Sequence, residues 1–289
     1  MRKNKVYTFW GLCLACCLNW ANAEVLLELE GALTQGGLMV GKTEAANKVL
    51  FDDRALKVSK HGYFTFGFSR DDDKTHTLTI TEPSGETLSK ALTPTKRQYN
   101  IQKIEGIAKK IMQPDPKALE RIRQDNKKIG QVRAVSSSNI DFAHGFKAPA
   151  NGVITGVYGS QRYYNGVPKN PHFGLDYAGK KGTPVYAPAA GTVTLWVPDM
   201  FYSGGTLVID HGHGITSTFL HLSGADVKVG DRVLQSQPVA RIGSTGRSTG
   251  PHLDWRINWY NVKLDPALAL ELPNFRTFSA PSAISAQDE

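Results

Sequence analysis

Apolar and polar residues alternate with a period of two through much of the chain, the signature of half-buried strands. Residues 75–81 (THTLTIT) alternate cleanly, and residues 63–68 (YFTFGF) are an aromatic strand candidate. His61-Gly62 and Pro83-Ser84-Gly85 punctuate these runs as turns. Residues 24–113 are therefore expected to form an N-terminal β domain, a small sandwich of short strands. The pattern then changes. Asp115 is suited to cap a helix, Pro116 fits a first helical position, and residues 117–128 are rich in helix formers. This predicts a helical linker over 114–138 with a solvated charged face, ending in a flexible Ser136-Ser137-Ser138 lead. Period two returns with dense glycine over 139–272. Strands are expected near 185–187, 191–196, 207–210, 216–220 and 238–242, with no long amphipathic helix between them. Residues 273–289 read as a loose tail. The fold class expected is all-β: an N-terminal β-sandwich, a helical linker and a C-terminal antiparallel sheet domain.

The first residues follow a different logic. Arg2, Lys3 and Lys5 precede an apolar run from about Val6 to Leu18, and Ala21-Asn22-Ala23 offers a small-x-small cleavage pattern. The run is shorter than the ~20 residues of a bilayer-crossing helix, so residues 1–23 are read as a signal peptide and no membrane span is expected after cleavage. An exported protein, in the periplasm or cell envelope, is the expectation. Cys13, Cys16 and Cys17 all fall inside this segment. The remaining chain then has no cysteine, which excludes disulfides, thiolate metal ligands and cysteine nucleophiles. Without the three basic residues the formal charge drops from +8 to +5. That excess suits an anionic surface or simply solubility. No basic stripe with interleaved aromatics supports nucleic-acid binding.

Six of the eight histidines lie between His144 and His252, three of them in informative settings. In His172-Phe173-Gly174-Leu175-Asp176, extended backbone would turn an imidazole and a carboxylate to one side, both good zinc donors. Alone, this spacing is met by structural residues more often than by ligands. In His252-Leu253-Asp254 the polar pair is two apart on one strand face, with Leu253 on the other. His221 closes an apolar strand, where a backbone carbonyl would satisfy a buried imidazole equally well.

Together with Gly182-Thr183-Pro184-Val185, Val208-Ile209-Asp210-His211-Gly212 and Gly243-Ser244-Thr245-Gly246, these settings occur in the order of a known domain. Over about 110 residues the chain resembles the LytM/lysostaphin-type zinc metallopeptidases, peptidoglycan endopeptidases. The β domain and linker resemble the N-terminal region of exported proteobacterial members. The resemblance implies one zinc ion per chain, with His172 and Asp176 as ligands and His221 and His252 as catalytic histidines. Asp254 stands where the family usually places its third ligand, a histidine. The implied substrates are stem or cross-link peptides of peptidoglycan.

The departure at Asp254 keeps two functions open. One histidine and two carboxylates make a harder, more anionic site, in which zinc is a weaker Lewis acid and manganese competes better. The first function is a zinc-dependent endopeptidase. The second is a catalytically degenerate module that binds peptidoglycan or activates a wall amidase. Other candidates carry less. His211 and His213 sit in a glycine-flanked turn, His61 and His76 read as turn and solvent-face residues, and His144 lies at the start of the second domain. Residues 162–166 run toward His172 and are placed along the substrate groove. Residues 243–250 lack the Gly-Lys-Ser/Thr ending of a phosphate loop. The N-terminal domain, which has no chemical cluster, is assigned a covering role over the groove or the binding of an envelope protein partner.

Overall fold

The computed structural model describes residues 25–105 and 115–273. The signal segment and all but the first residue of the expected tail lie outside them. Seven strands build the N-terminal domain: β1 (Glu28–Gly31), β2 (Leu38–Lys42), β3 (Lys48–Phe51), β4 (Arg54–Leu56), β5 (Tyr63–Gly67), β6 (His76–Thr81) and β7 (Thr87–Leu92). They pair as two sheets, β1-β2-β5 and β4-β3-β6-β7. In β6 the predicted alternation buries Leu78 and Ile80, which join Val49, Phe51, Phe64 and Phe66 in the core. Phe51 and Phe66 stack with ring centroids 4.5 Å apart. Each such side chain contributes about 1.5–3 kcal/mol by leaving water.

His76 is no solvent-face residue. Its side chain is half-buried between Asp52 (Nδ1 to Oδ2, 2.7 Å) and Asp72 (Nε2 to Oδ1, 3.0 Å), and stacks on Phe51. Burial opposes its protonation, but the two carboxylates outweigh burial and raise its pKa above the ordinary imidazole value.

After β8 (Ile101–Ile104) comes helix α1 (Pro116–Ala134), which runs six residues beyond the end of the stretch of helix formers that predicts it. Asp115 caps it by accepting from the Ala118 N–H at 2.8 Å, and Pro116 occupies its start. No α1 residue is buried, as the charged pattern requires. The serine stretch that follows is held rather than loose. Lys57 Nζ donates to the Ser136 and Ser137 carbonyls and to Ser138 Oγ, tying the N-terminal domain to the end of the linker.

The second domain comprises β9 (Ile154–Gly156), β10 (Gln161–Tyr164), β11 (Val167–Pro168), β12 (Leu175–Ala178), β13 (Pro184–Tyr186), β14 (Gly191–Met200), β15 (Gly204–Gly212), β16 (Ile215–Leu222), β17 (Gly224–Ala225), β18 (Arg232–Val233), β19 (Pro238–Arg241), β20 (His252–Trp259) and β21 (Val262–Leu264). A short helix, α2 (Pro266–Ala269), follows. The main sheet runs β18-β14-β15-β16-β20-β12-β9, with β21 on the far end of β20. One face is apolar, with Leu207, Ile209, Phe219, Leu253, Trp255 and Ile257 packed in the core. The opposite face carries His252, Asp254 and Arg256 on β20, with Thr218 directly across from Arg256.

Two of the contacts that hold the N-terminal region against this domain bear on the site and its surroundings. Strand β8 pairs in parallel with β10, so the β10–β11 hairpin leading to His172 is held by a strand from outside its own domain. Arg97 donates to the buried Asp265 at 2.7 Å, and Asp265 also caps α2 through the Ala267 N–H.

Candidate metal centre

Pairing of β12 with β20 places Asp176 directly opposite Asp254, and His172 lies just before β12. His172, Asp176 and Asp254 each present a ligand atom within 4.8 Å of the other two. Among the described residues they are the candidate metal cluster. His172 Nε2 and Asp176 Oδ1 are 3.1 Å apart. Both atoms are buried, and neither makes a hydrogen bond. Buried polar atoms without partners are costly, so a converging pair of them is the mark of a place for a cation.

Backbone space makes the convergence feasible. A Cβ on Gly156 would overlap the Asp176 carboxylate, and one on Gly174 would overlap Asp254 Oδ1. Only glycine lets the two carboxylates lie this close to the neighbouring chain. Imidazole and carboxylate are both ordinary zinc donors, and three protein ligands leave room for a water or substrate. The donor set therefore fits a zinc ion.

Asp254 has a partner that the sequence reading missed. Arg256 Nε donates to Oδ1 at 2.9 Å and to Oδ2 at 3.1 Å, and Nη2 donates to Oδ2 at 2.6 Å. Asp254 is only 2% exposed, and burial opposes its charge. The guanidinium outweighs that opposition and holds the carboxyl well below the usual carboxylate range. Arg256 stands two residues beyond Asp254, so the period-two rule that aligned His252 with Asp254 also aligns Arg256.

The two remaining histidines flank the cluster. His221 is the penultimate residue of β16 and has φ +63°, a left-handed conformation that is strained for a histidine. Its N–H to the Ser203 carbonyl (2.8 Å) fixes that backbone. His221 Nδ1 donates to the Thr245 carbonyl at 2.9 Å, and His252 Nδ1 donates to the Gly250 carbonyl at 2.8 Å. Carbonyl oxygens only accept, so both imidazoles carry their proton on Nδ1 and leave Nε2 as the basic atom. The rings are 4.7 Å apart between centroids. Burial pushes the His221 pKa below the ordinary imidazole value, and the Thr245 carbonyl and Asp254 only partly offset it. Burial therefore favours the neutral form of the His221 imidazole.

The other candidates lie elsewhere. His211 is fully buried, with Nδ1 donating to the Ala190 carbonyl (2.7 Å) and Nε2 accepting from the Ser217 hydroxyl (2.8 Å), a structural role. His213 sits in the following turn at φ +50° against Phe142. His144 belongs to a single 3-10 turn (Asp141–His144). Beside the loop whose Thr245 carbonyl holds His221, a cleft of about 300 Å³ is lined by Arg121, Asp199, Phe201 and Thr245.

The fold and site define a class: a β-sheet domain whose strands converge one imidazole and two carboxylates, with two paired histidines alongside. Residues 170–266 match the model of Peptidase family M23. They are an M23 domain of the LytM type. Over 110 residues the chain is 38% identical to peptidoglycan DD-endopeptidase ShyB of Vibrio cholerae, and over 119 residues 35% identical to DD-carboxypeptidase/endopeptidase Mpg of Neisseria meningitidis. The matches take in 38% and 41% of this chain and 25% and 27% of those relatives' lengths. A crystal structure of a putative peptidase M23 from Pseudomonas aeruginosa superposes with a TM-score of 0.62 at 25% identity. It covers 82% of this chain and 94% of its own, so the likeness spans both domains.

Proposed function

We propose that this protein is a zinc-dependent endopeptidase of the cell envelope that hydrolyses peptide bonds in peptidoglycan stem or cross-link peptides. The observation that carries the reading is the buried, unsatisfied pair His172 Nε2 and Asp176 Oδ1, closed into a three-ligand set by Asp254. The relatives named above support peptidoglycan as the substrate. Residues 139–272 are assigned as the catalytic unit, with His172, Asp176 and Asp254 as ligands and His221 and His252 as catalytic residues. Zinc, when bound, supplies the Lewis acidity that amide hydrolysis requires.

The chain's own residues account for the proton movements. Nδ1 of both histidines is committed to a carbonyl, so each Nε2 is oriented and free to accept a proton from the attacking water. The imidazolium so formed hydrogen-bonds the developing oxyanion or returns the proton to the leaving amine. The depressed basicity of His221 keeps it unprotonated before reaction and makes it a ready donor afterwards.

The degenerate-module reading rests on Asp254, whose bond to Arg256 supplies an internal counter-ion. One assay separates the two. The protein without residues 1–23 is incubated with cross-linked peptidoglycan and zinc, beside an Asp176→Ala control, and released peptides are identified by mass spectrometry. Hydrolysis that disappears in the control supports the endopeptidase. Sacculus binding without hydrolysis in either protein would establish the binding module.

A further inference from the structure

Arg256 answers a question that the donor set raises. With two carboxylates, His172, Asp176 and Asp254 carry one negative charge more than a site in which a neutral imidazole replaces Asp254. Arg256 cancels that charge at the place where it arises, through three contacts of 2.6–3.1 Å to the Asp254 carboxylate. Asp254 keeps donor capacity under this arrangement. Its Oδ1 accepts one of the three contacts and faces the backbone of Gly174, between His172 and Asp176.

We infer that Asp254 and Arg256 act as one unit, a neutral ligand split over two side chains, with Arg256 as the positioning residue that fixes and balances the Asp254 carboxylate for the metal. This rests on the zinc-site reading above. The surroundings sharpen it. Arg133 of α1 reaches the same face through Thr218 (Nη2 to Oγ1, 3.1 Å). Lys263 of β21 lies over the Phe173 ring at 4.0 Å, opposite Asn258 of β20. Removing the Asp254 charge alone would leave Arg256, with Arg133 and Lys263 close enough to feel its charge, beside Asp176 as the remaining carboxylate of the set. A cation would then be repelled from a site that has gained a good nitrogen donor.

The consequence runs against simple ligand chemistry. Imidazole is a better zinc donor than carboxylate by softness, so Asp254→His taken alone ought to improve the site. Coupling to Arg256 predicts the reverse. Zinc affinity of the full chain is measured by competition with a chromophoric chelator for the native protein, Asp254→His, Arg256→Gln, the double variant and Asp176→Ala. Thermal melts of the metal-free proteins report folding. Asp254→His is expected to lose about tenfold or more in zinc affinity, in the 10–100-fold range typical of disturbed outer partners. Adding Arg256→Gln is expected to restore affinity to within about threefold of native. The two changes are then non-additive by at least about tenfold, or ~1.4 kcal/mol. A purely structural ion pair would lower the melts without this reversal in zinc affinity.

Asp254→His binding zinc as tightly as native, or effects that simply multiply, would overturn the inference while leaving the zinc site standing, provided Asp176→Ala binds more weakly than native. Equal binding by native and Asp176→Ala would overturn both the inference and the zinc-site reading.

Discussion

Gly156 should be indispensable to hydrolysis although it has no side chain to take part in the chemistry. It lies opposite Asp176 in the β9–β12 ladder. A Cβ added there would stand 2.8 Å from Asp176 Cγ and 3.2 Å from its Cβ, and closer still to Oδ2. Carbon contacts settle at about 3.5–4.0 Å, so the carboxylate must retreat by roughly 1 Å. That movement takes Asp176 Oδ1 out of its 3.1 Å approach to His172 Nε2. A misplacement of about 1 Å costs on the order of 10²-fold in rate, or ~2.7 kcal/mol of barrier. The cost to the fold is smaller. Overpacking destabilises by about 1–3 kcal/mol, and the loss of glycine's freedom in the unfolded chain returns about 0.4–1 kcal/mol. The assay is kcat/KM on a cross-linked peptidoglycan peptide for Gly156→Ala, with a thermal melt. Gly224→Ala serves as control, because a Cβ there meets nothing within 4 Å. Gly156→Ala hydrolysing within about twofold of native would refute the claim that this backbone space positions Asp176.

Three further outcomes follow from other parts of the structure. His221→Ala and His252→Ala should each lower hydrolysis by about 10²–10⁴-fold while zinc content stays at the native level; loss of zinc in either would recast that histidine as a ligand. Arg97→Ala should destabilise the protein by about 3 kcal/mol in denaturant unfolding, because it strands the buried Asp265 carboxylate without its ion-pair partner. His213 makes stability fall with acid. Burial, with the Lys57 charge, lowers its pKa from 6.5 to about 4. The unfolded chain therefore binds the extra proton first, and stability is lost as pH falls from about 6.5 toward 4, by at most about 3 kcal/mol. His213→Gln should flatten that segment of the stability profile, as read by denaturant melts at successive pH values.

Much of this architecture was legible because its rules are local. Period two placed β6 and β16, and the same rule put His252 and Asp254 on one face of β20. Asp115-Pro116 located the start of α1 for a reason that the cap geometry bears out. The convergence of His172, Asp176 and Asp254 follows once β12 and β20 are neighbours, but that pairing joins residues far apart in sequence. No spacing announces it, and the resemblance supplied it. His76 was misplaced for a similar reason. Alternation assigns it a face, but not the Asp52 and Asp72 carboxylates that the turns bring to its ring. The Arg97–Asp265 pair and the parallel β8–β10 pairing have no local signal at all. Arg256 differs, since it stood in register with Asp254, and a formal charge count of the ligand set would have pointed to it.

The claim on which the rest depends is that His172, Asp176 and Asp254 hold one zinc ion. The most direct measurement is metal stoichiometry by elemental mass spectrometry on the native protein and on Asp176→Ala, each equilibrated with zinc and freed of excess. The account predicts about one zinc per native chain, following from one three-ligand set, and loss of most of it in the variant. A native chain without metal, or a variant that retains as much as the native protein, would contradict it.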